Sequence, residues 1–174
     1  MITIVVGTNR RRSKSKQVAL FYQKLLSDLN AESQLLDIAD LPDDFIRSAL
    51  YENNGKNESF NTYRQMMQES DKYVFIVPEY NNSYPGALKV FIDGLSYPSE
   101  LLHKKAALVG ISDGVQGGAL ALSHLNDVFN YLGMNVLAQR VKIPFMKKNF
   151  LDGEIKDGLI DKLIREQAEL LVKF

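Results

Sequence analysis

Twelve residues, Pro78-Glu79-Tyr80-Asn81-Asn82-Ser83-Tyr84-Pro85-Gly86-Ala87-Leu88-Lys89, separate two apolar segments of different period. Before them stands Tyr73-Val74-Phe75-Ile76-Val77, a β-branched and aromatic run with the composition of a strand buried on both faces. From the last two of them onward, Leu88-Lys89-Val90-Phe91-Ile92-Asp93 predicts a helix with Pro85 in its first turn and the turn-former Ser83 just ahead of it. The loop between is polar and rich in Asn. It lies at the carboxyl end of a parallel strand, where open α/β sheets bind ligands. A surface turn that merely collects Asn and Pro is the rival reading, since those residues mark turns in general. So many polar and conformationally special residues in so short a loop favour a built site.

Working outward, strand, loop and helix alternate along the chain. Ile2 to Val6 is an apolar strand ended by Gly7-Thr8-Asn9. Arg10-Arg11-Arg12-Ser13-Lys14-Ser15-Lys16 follows, and from Gln17 onward Val18, Tyr22, Leu25 and Leu29 mark one face of a helix. A second strand is expected over Ser33 to Ile38. Residues 42–57 are the least readable: Phe45 to Tyr51 suits either a short helical turn or a flap, and Asn53-Asn54-Gly55-Lys56-Asn57 is turn-rich. Phe60 to Ser70 predicts a helix that sends Phe60, Tyr63, Met66 and Met67 toward the sheet as core. Past the central loop and its helix, Ser96-Tyr97-Pro98-Ser99-Glu100 is an interruption, because Pro98 disfavours helix at Tyr97.

Ala106 to Ile111 is the fourth strand, followed by Ser112-Asp113-Gly114-Val115-Gln116-Gly117-Gly118. A helix is expected from Ala119 to Leu132, with Ala121, Leu122, Leu125, Val128, Phe129 and Leu132 inward and Gly133 as its stop. Met134 to Ala138 forms the fifth strand and Val141 to Phe145 an extended exit. The last helix, Asp157 to Val172, has Leu159, Leu163, Ile164, Ala168, Leu170 and Leu171 as its apolar side. Five strands alternating with helices imply a parallel sheet covered on both faces, with right-handed crossovers. The expected fold is a flavodoxin-like, three-layer, doubly wound α/β sandwich of strand order 2-1-3-4-5. It would bring the loops after strands one, three and four to one crevice.

With 174 residues the chain suits a single domain over 1–174, large enough to bury roughly 70% of its unfolded surface. Lys plus Arg equals Asp plus Glu at 21 each, so the overall charge gives no case for nucleic acid or a membrane surface as partner. The absence of Cys excludes disulfides, thiolate metal sites and a cysteine nucleophile. The first residues are apolar and turn basic only at Arg10, the reverse of the order in a signal peptide. No apolar run approaches the ~18 residues of a membrane span. A cytoplasmic location is the expectation.

The three loops differ in what they offer. The first has the Thr8, Ser13 and Ser15 hydroxyls and Arg10 around a helix amino end, where unsatisfied N–H groups and the dipole favour an anion by ~0.3–2 kcal/mol. A phosphomonoester suits that set. The loop is neither G-x-x-x-x-G-K-[ST] nor G-x-G-x-x-G, which disfavours a nucleoside triphosphate or a dinucleotide pyrophosphate. A basic patch for nucleic acid, or a solvated face, is the competing reading of Arg10 to Lys16, and no aromatic residues interleave it. Arg10 is expected to face the ligand, with Arg11, Arg12, Lys14 and Lys16 partly solvated. The other two loops carry no nucleophile beside a base. Glu79 and Asp113 form no metal-type spacing, Ser112 does not sit in G-x-S-x-G, and His103 and His124 read as surface histidines. A phosphate cradle beside flat Asn-Tyr and Gly-rich loops, without reactive groups of its own, suggests a cofactor that brings the chemistry. A planar tricycle with a phosphorylated tail is flavin mononucleotide, FMN.

Three motifs, in order, carry a resemblance to the NADPH-dependent FMN reductase family, which includes quinone, chromate and azo-dye reductases. Gly7-Thr8-Asn9-Arg10-Arg11-Arg12-Ser13-Lys14-Ser15 resembles its phosphate loop, Pro78 to Lys89 resembles its P-E-Y-N-x-S-x-P-G-x-L-K signature, and Ser112-x-Gly114-x-x-Gly117-Gly118 resembles its S-x-G-x-x-G-G loop. The resemblance implies that Thr8, Arg10, Ser13 and Ser15 hold the phosphate. It further implies that Pro78, Glu79, Tyr80, Asn81 and Ser83 hold the ring and ribityl chain, and that Ser112, Gly114 and Gly117 close the other side. It also implies NADPH or NADH as co-substrate, a small-molecule electron acceptor, and a homodimer or homotetramer. Ser15 stands where the family's pattern has Asn, and Gly94 where Trp often follows Ile-Asp, removing bulk near a subunit contact. No side chain is expected to act as a catalytic acid or base. A flavodoxin-type electron carrier is the main alternative, and a binding module that has lost flavin is a second.

Overall fold

The computed structural model of the chain describes residues 1–96 and 99–174; the expected break at Tyr97-Pro98 lies outside the described residues. β1 (Ile2–Val6), β2 (Ser33–Asp37), β3 (Lys72–Pro78) and β4 (Lys105–Ile111) pair in parallel, and β5 (Asn135–Val136) and β6 (Val141–Ile143) both pair with β4. The order is β2-β1-β3-β4-β5, the doubly wound arrangement expected, with the switch point between β1 and β3. Alternate side chains of β3 serve opposite faces. Tyr73, Phe75 and Val77 join one core with α2 (Phe45–Ser48), α3 (Glu58–Glu69), α4 (Gly86–Asp93) and α5 (Ala119–Tyr131). Val74 and Ile76 join the other with α1 (Lys14–Asp28) and α7 (Gly158–Lys173). Strands sandwiched this way must be apolar throughout, which is why their sequences are unbroken apolar runs.

Several expectations shift on inspection. α1 starts at Lys14, three residues before Gln17, because the Ser13 hydroxyl accepts from the Lys16 N–H and caps the helix. Pro85 is not within the first turn of α4 but is its extended cap residue, with the helix starting at Gly86. The fifth position of the sheet is split: β5 pairs with Lys105 and Ala106, and β6, expected as a mere exit, pairs with Val109 to Ile111. In α7, Ile164, Ala168 and Leu171 are buried as expected, but the first turn and Leu170 differ. Leu159 is 66% exposed while Ile160 is 9% exposed, and Leu170 also faces outward. The segment after β6 adds a short helix, α6 (Met146–Asn149), and a hairpin of β7 (Phe150–Leu151) and β8 (Glu154–Ile155) that the sequence pattern did not signal.

Gly94 has an internal reason. A Cβ there would lie 2.6 Å from Phe60 Cζ. The Phe60 ring is stacked on Phe45 at 5.7 Å and packed edge-on to Phe91 at 6.0 Å. Aromatic bulk from α3 therefore occupies the space that a large side chain at position 94 would need, inside the subunit rather than at its edge.

Candidate functional site

Three loops leave the carboxyl ends of β1, β3 and β4, and main-chain bonds carry the sheet's pairing one step into them. Gly7 N–H donates to Ile76 C=O at 2.9 Å, Glu79 N–H to Ile111 C=O at 3.0 Å, and Ser112 N–H to Ile143 C=O at 3.1 Å. A cavity of ≈ 320 Å³ opens between them, lined by Thr8, Arg10, Arg12, Ser13, Lys14, Ser15, Pro78, Glu79, Tyr80, Ile111, Ser112, Asp113 and Met146. Of the twelve residues expected at the site, eight line this cavity and Asn81, Ser83, Gly114 and Gly117 do not.

The phosphate side is built by α1. Its cap Ser13 and its residue Ser15 are buried, while Arg10, Arg12 and Lys14 are exposed. Arg12 and Lys14, expected to be partly solvated, thus contribute to the wall alongside Arg10. Lys16 instead turns away to Asp37 at the end of β2, with Nζ 3.0 Å from Oδ2. The hydrogen bond to this carboxylate, then its charge, raises the Lys16 pKa. Thr8 Oγ1 is 2.7 Å from the Tyr80 hydroxyl and accepts from Arg10 N–H at 3.3 Å, so one threonine ties the first loop to the third.

The third loop is a tight turn. Tyr80 N–H donates to Ser83 C=O at 2.8 Å, and Ser83 N–H to Tyr80 C=O at 3.0 Å. Between them Asn81 and Asn82 both have positive φ, 48° and 62°, which Asn tolerates best after Gly and which a two-residue primed turn requires. The Asn pair therefore has a conformational role whether or not its amides touch a ligand. Ser83 Oγ lies 2.9 Å from His124 Nδ1 on α5; His124 is exposed, as expected, yet not idle. Tyr84, behind the turn, has its pKa raised by burial.

The fourth loop is pinned from the far edge of the sheet. Met146 N–H donates to Ser112 C=O and Phe145 N–H to Gly114 C=O. Phe145 makes this possible by adopting φ 49°, and Met146 is thereby delivered to the cavity wall; nothing in the sequence marks that residue. Gly117 has φ +59°, and a Cβ on it would lie 2.8 Å from Pro144 N. Gly117 thus lets two stretches of this chain approach each other. Gly114 differs: a Cβ there would meet only Ser112 Oγ at 3.7 Å, so its surroundings are open. Glu79 and Asp113 both face the cavity, but Asp113 already pairs with Lys147 at 3.6 Å. No cluster of three or more metal-ligating side chains exists among the described residues.

A doubly wound sheet whose switch-point cavity joins hydroxyls and cations at a helix amino end to flat Pro-Glu-Tyr and Ser walls is a mononucleotide-cofactor protein of the flavodoxin-like class. The donor set fits FMN: three hydroxyls and three cations suit a phosphomonoester, and the open, peptide-lined remainder suits a planar ring. Comparison with known proteins narrows the class. Residues 1–147 match the NADPH-dependent FMN reductase family, and the chain belongs to that family. It is 35% identical to a 2-hydroxy-1,4-benzoquinone reductase of a Burkholderia species over 142 residues, 79% of this chain and 74% of that protein. It is 34% identical to a quinone reductase of Pseudomonas putida over 120 residues, 67% of this chain but only 62% of that protein. The solved structure of FerB, a flavoenzyme NAD(P)H:(acceptor) oxidoreductase from Paracoccus denitrificans, superposes with a TM-score of 0.80 at 28% identity, covering 99% of this chain and 94% of that one. The family's cofactor is FMN and its reductant a reduced nicotinamide dinucleotide, and the enzyme reading stands over that of an electron carrier.

Proposed function

We propose that the chain is a cytoplasmic NAD(P)H-dependent reductase of small acceptors, with quinones first and azo or nitro compounds, metal oxyanions or free flavin next. Within it, Thr8, Arg10, Ser13 and Ser15 hold the FMN phosphate. The peptide groups of Pro78 to Asn81 with Ser83 flank the ring and ribityl chain, and Ser112, Gly114 and Gly117 belong to the opposite wall. Bound FMN supplies the hydride chemistry. The chain's residues bind and orient: α1 presents N–H groups and positive charge to the phosphate, and the two loops hold donor and acceptor in one crevice, so that proximity supplies the rate. No side chain need move a proton in the first half-reaction, consistent with a cavity whose titratable lining is two carboxylates, a tyrosine and three cations.

The observation that carries this reading is the single cavity shared by Thr8, Ser13, Ser15, Pro78, Glu79, Tyr80 and Ser112. Its test is anaerobic titration of FMN-loaded protein with NADPH and NADH, followed by a panel of acceptors. Bleaching of the flavin by either nicotinamide supports a reductase, and a flavin that stays oxidised supports a carrier. In parallel, Arg10→Ala should weaken FMN about tenfold, as loss of a charge-assisted phosphate contact does, with turnover at saturating flavin little changed. Unaltered FMN affinity would overturn the phosphate assignment.

A homodimer or homotetramer is also proposed. Its support is an apolar groove of ≈ 460 Å³ along α4 and α5, bordered by Ile92, Leu95, Val128, Tyr131 and Leu132, with Tyr131 88% exposed. Exposed apolar patches rimmed by charge mark association surfaces, and a symmetric pairing is the common outcome. No helix among the described residues is long and apolar enough to cross a membrane.

A further inference from the structure

The Tyr80–Ser83 turn is held at both ends by side chains from other elements. At one end the Tyr80 hydroxyl meets Thr8 Oγ1 at 2.7 Å. At the other, Ser83 Oγ meets His124 Nδ1 at 2.9 Å. His124 belongs to α5, the helix that continues directly from the Ser112–Gly118 loop. The second bond therefore joins the two facing walls of the crevice, one from β3 and one from β4, at a place where no main-chain pairing reaches. Either imidazole tautomer serves, because a neutral Nδ1 accepts from the serine hydroxyl and a protonated one donates to it.

The turn needs such a brace. Both of its central residues are non-glycine at positive φ, a conformation the surrounding structure has to hold in place. Its two cross-turn hydrogen bonds sit on an exposed or half-buried rim, with no hydrophobic anchor at Asn81 or Asn82.

We propose that His124 is a positioning residue for the flavin ring: through Ser83 it holds the Tyr80–Ser83 turn against the Ser112 side of the crevice and so sets the width of the slot between them. His124 does not touch the reacting atoms. It acts by keeping the turn in its binding shape before the cofactor arrives, so its loss is felt as weaker FMN binding and a looser ring environment. The inference rests on the FMN reading above.

The test has two arms. In apoprotein, amide exchange of Tyr80 and Ser83, which donate to each other's carbonyls, is compared between wild type, His124→Ala, Ser83→Ala and His124→Asn. In FMN titrations, flavin fluorescence gives the affinity and visible circular dichroism reports the ring's environment. His124→Ala and Ser83→Ala should each accelerate exchange at both amides and weaken FMN about fivefold, the factor for one net hydrogen bond of about 1 kcal/mol. The double variant should be no worse than Ser83→Ala alone. His124→Asn, whose amide can be placed where Nδ1 stood, should restore affinity and dichroism, and the melting temperature should fall by no more than about 2–4 °C in any variant. Additive losses, a failed rescue by Asn, or exchange and affinity indifferent to His124→Ala would each overturn the proposal. Failure of wild-type protein to bind FMN would instead overturn the reading on which it rests, and the exchange arm would still report whether His124 holds the turn.

Discussion

Along β3, Tyr73 to Val77 are all fully buried, each packed on one of two cores, whereas across the sheet's far edge β5 and β6 are two and three residues long. The gap between these short strands is closed by a side chain from a helix. Gln167 of α7 donates through Nε2 to Leu108 C=O at 3.1 Å and Gln139 C=O at 2.7 Å, and its Oε1 accepts from the Tyr22 hydroxyl. The middle of the sheet is held by burial and an uninterrupted ladder. Its edge is held by one buried amide standing in for the ladder's missing rungs. Burial also pushes the Tyr22 pKa up, so the phenol stays protonated and keeps donating to Gln167. The difference teaches that the Ser112 side of the cofactor crevice, with Met146 bonded to it, adjoins the half of the sheet with the shorter ladder.

The largest effect that would sharpen this contrast is at the centre. Phe75 is fully buried, with its ring 4.6 Å from that of Phe129. Phe75→Ala should cost about 3–5 kcal/mol, the range for a phenylalanine truncation in a packed core, measured by urea unfolding. A loss under about 1 kcal/mol would mean that the centre is not the stable half. At the edge, Gln167→Leu keeps the volume but orphans two carbonyls and a hydroxyl. Each unmet buried group costs about 1–3 kcal/mol where it cannot reach water, so for the two fully buried ones, Leu108 C=O and the Tyr22 hydroxyl, a loss of about 2–6 kcal/mol is expected. Adding Tyr22→Phe should recover part of it, since one orphan disappears. A neutral Gln167→Leu would break the comparison, because the edge would then not need its amide.

This contrast also explains how much was legible in the residues. β1, β3 and β4 are apolar runs because both their faces are covered, and such runs can be recognised without knowing the partners. The split between β5 and β6 was not legible, because it depends on a glutamine more than twenty positions away along the chain. In α7 the face of Ile164, Ala168 and Leu171 is legible, but the first turn offers apolar residues on more than one side, and only packing on the sheet selects Ile160 over Leu159. At the site, local chemistry was readable where it obeys local rules. The Pro78 to Tyr80 wall is of that kind, whereas the Ser13 cap moves the start of α1 three residues ahead of the expected Gln17. Asn81 and Asn82 could have been read as a primed turn, since an Asn pair between two extended segments is a known signal for it. Met146 and the Ser83–His124 bond could not, since each joins elements that only the finished sheet brings together.

The opposite edge offers the smallest and most specific test, because there a charge pair adds to a complete ladder between β1 and β2. Lys16 of α1 reaches Asp37 at the end of β2, and the folded state raises its pKa above the ordinary 10.5, through the hydrogen bond first and the charge second. A group whose pKa is raised on folding contributes stability that is fully present below its unfolded pKa and disappears as pH climbs through the higher folded value. The Lys16 side chain is 40% exposed, so solvent screening holds the contribution within the ~0–1 kcal/mol of surface pairs. Comparing wild type with Lys16→Met as apoprotein, the stability difference should be constant from neutral pH to about 10.5, shrink above it and vanish once the amine is neutral in the folded state. It should also shrink in 1 M salt, where the screening length falls to about 3 Å. A difference that persists unchanged to the highest pH at which the protein stays folded would show that Lys16 acts through its methylene packing. Both edges of the sheet would then be held without charge.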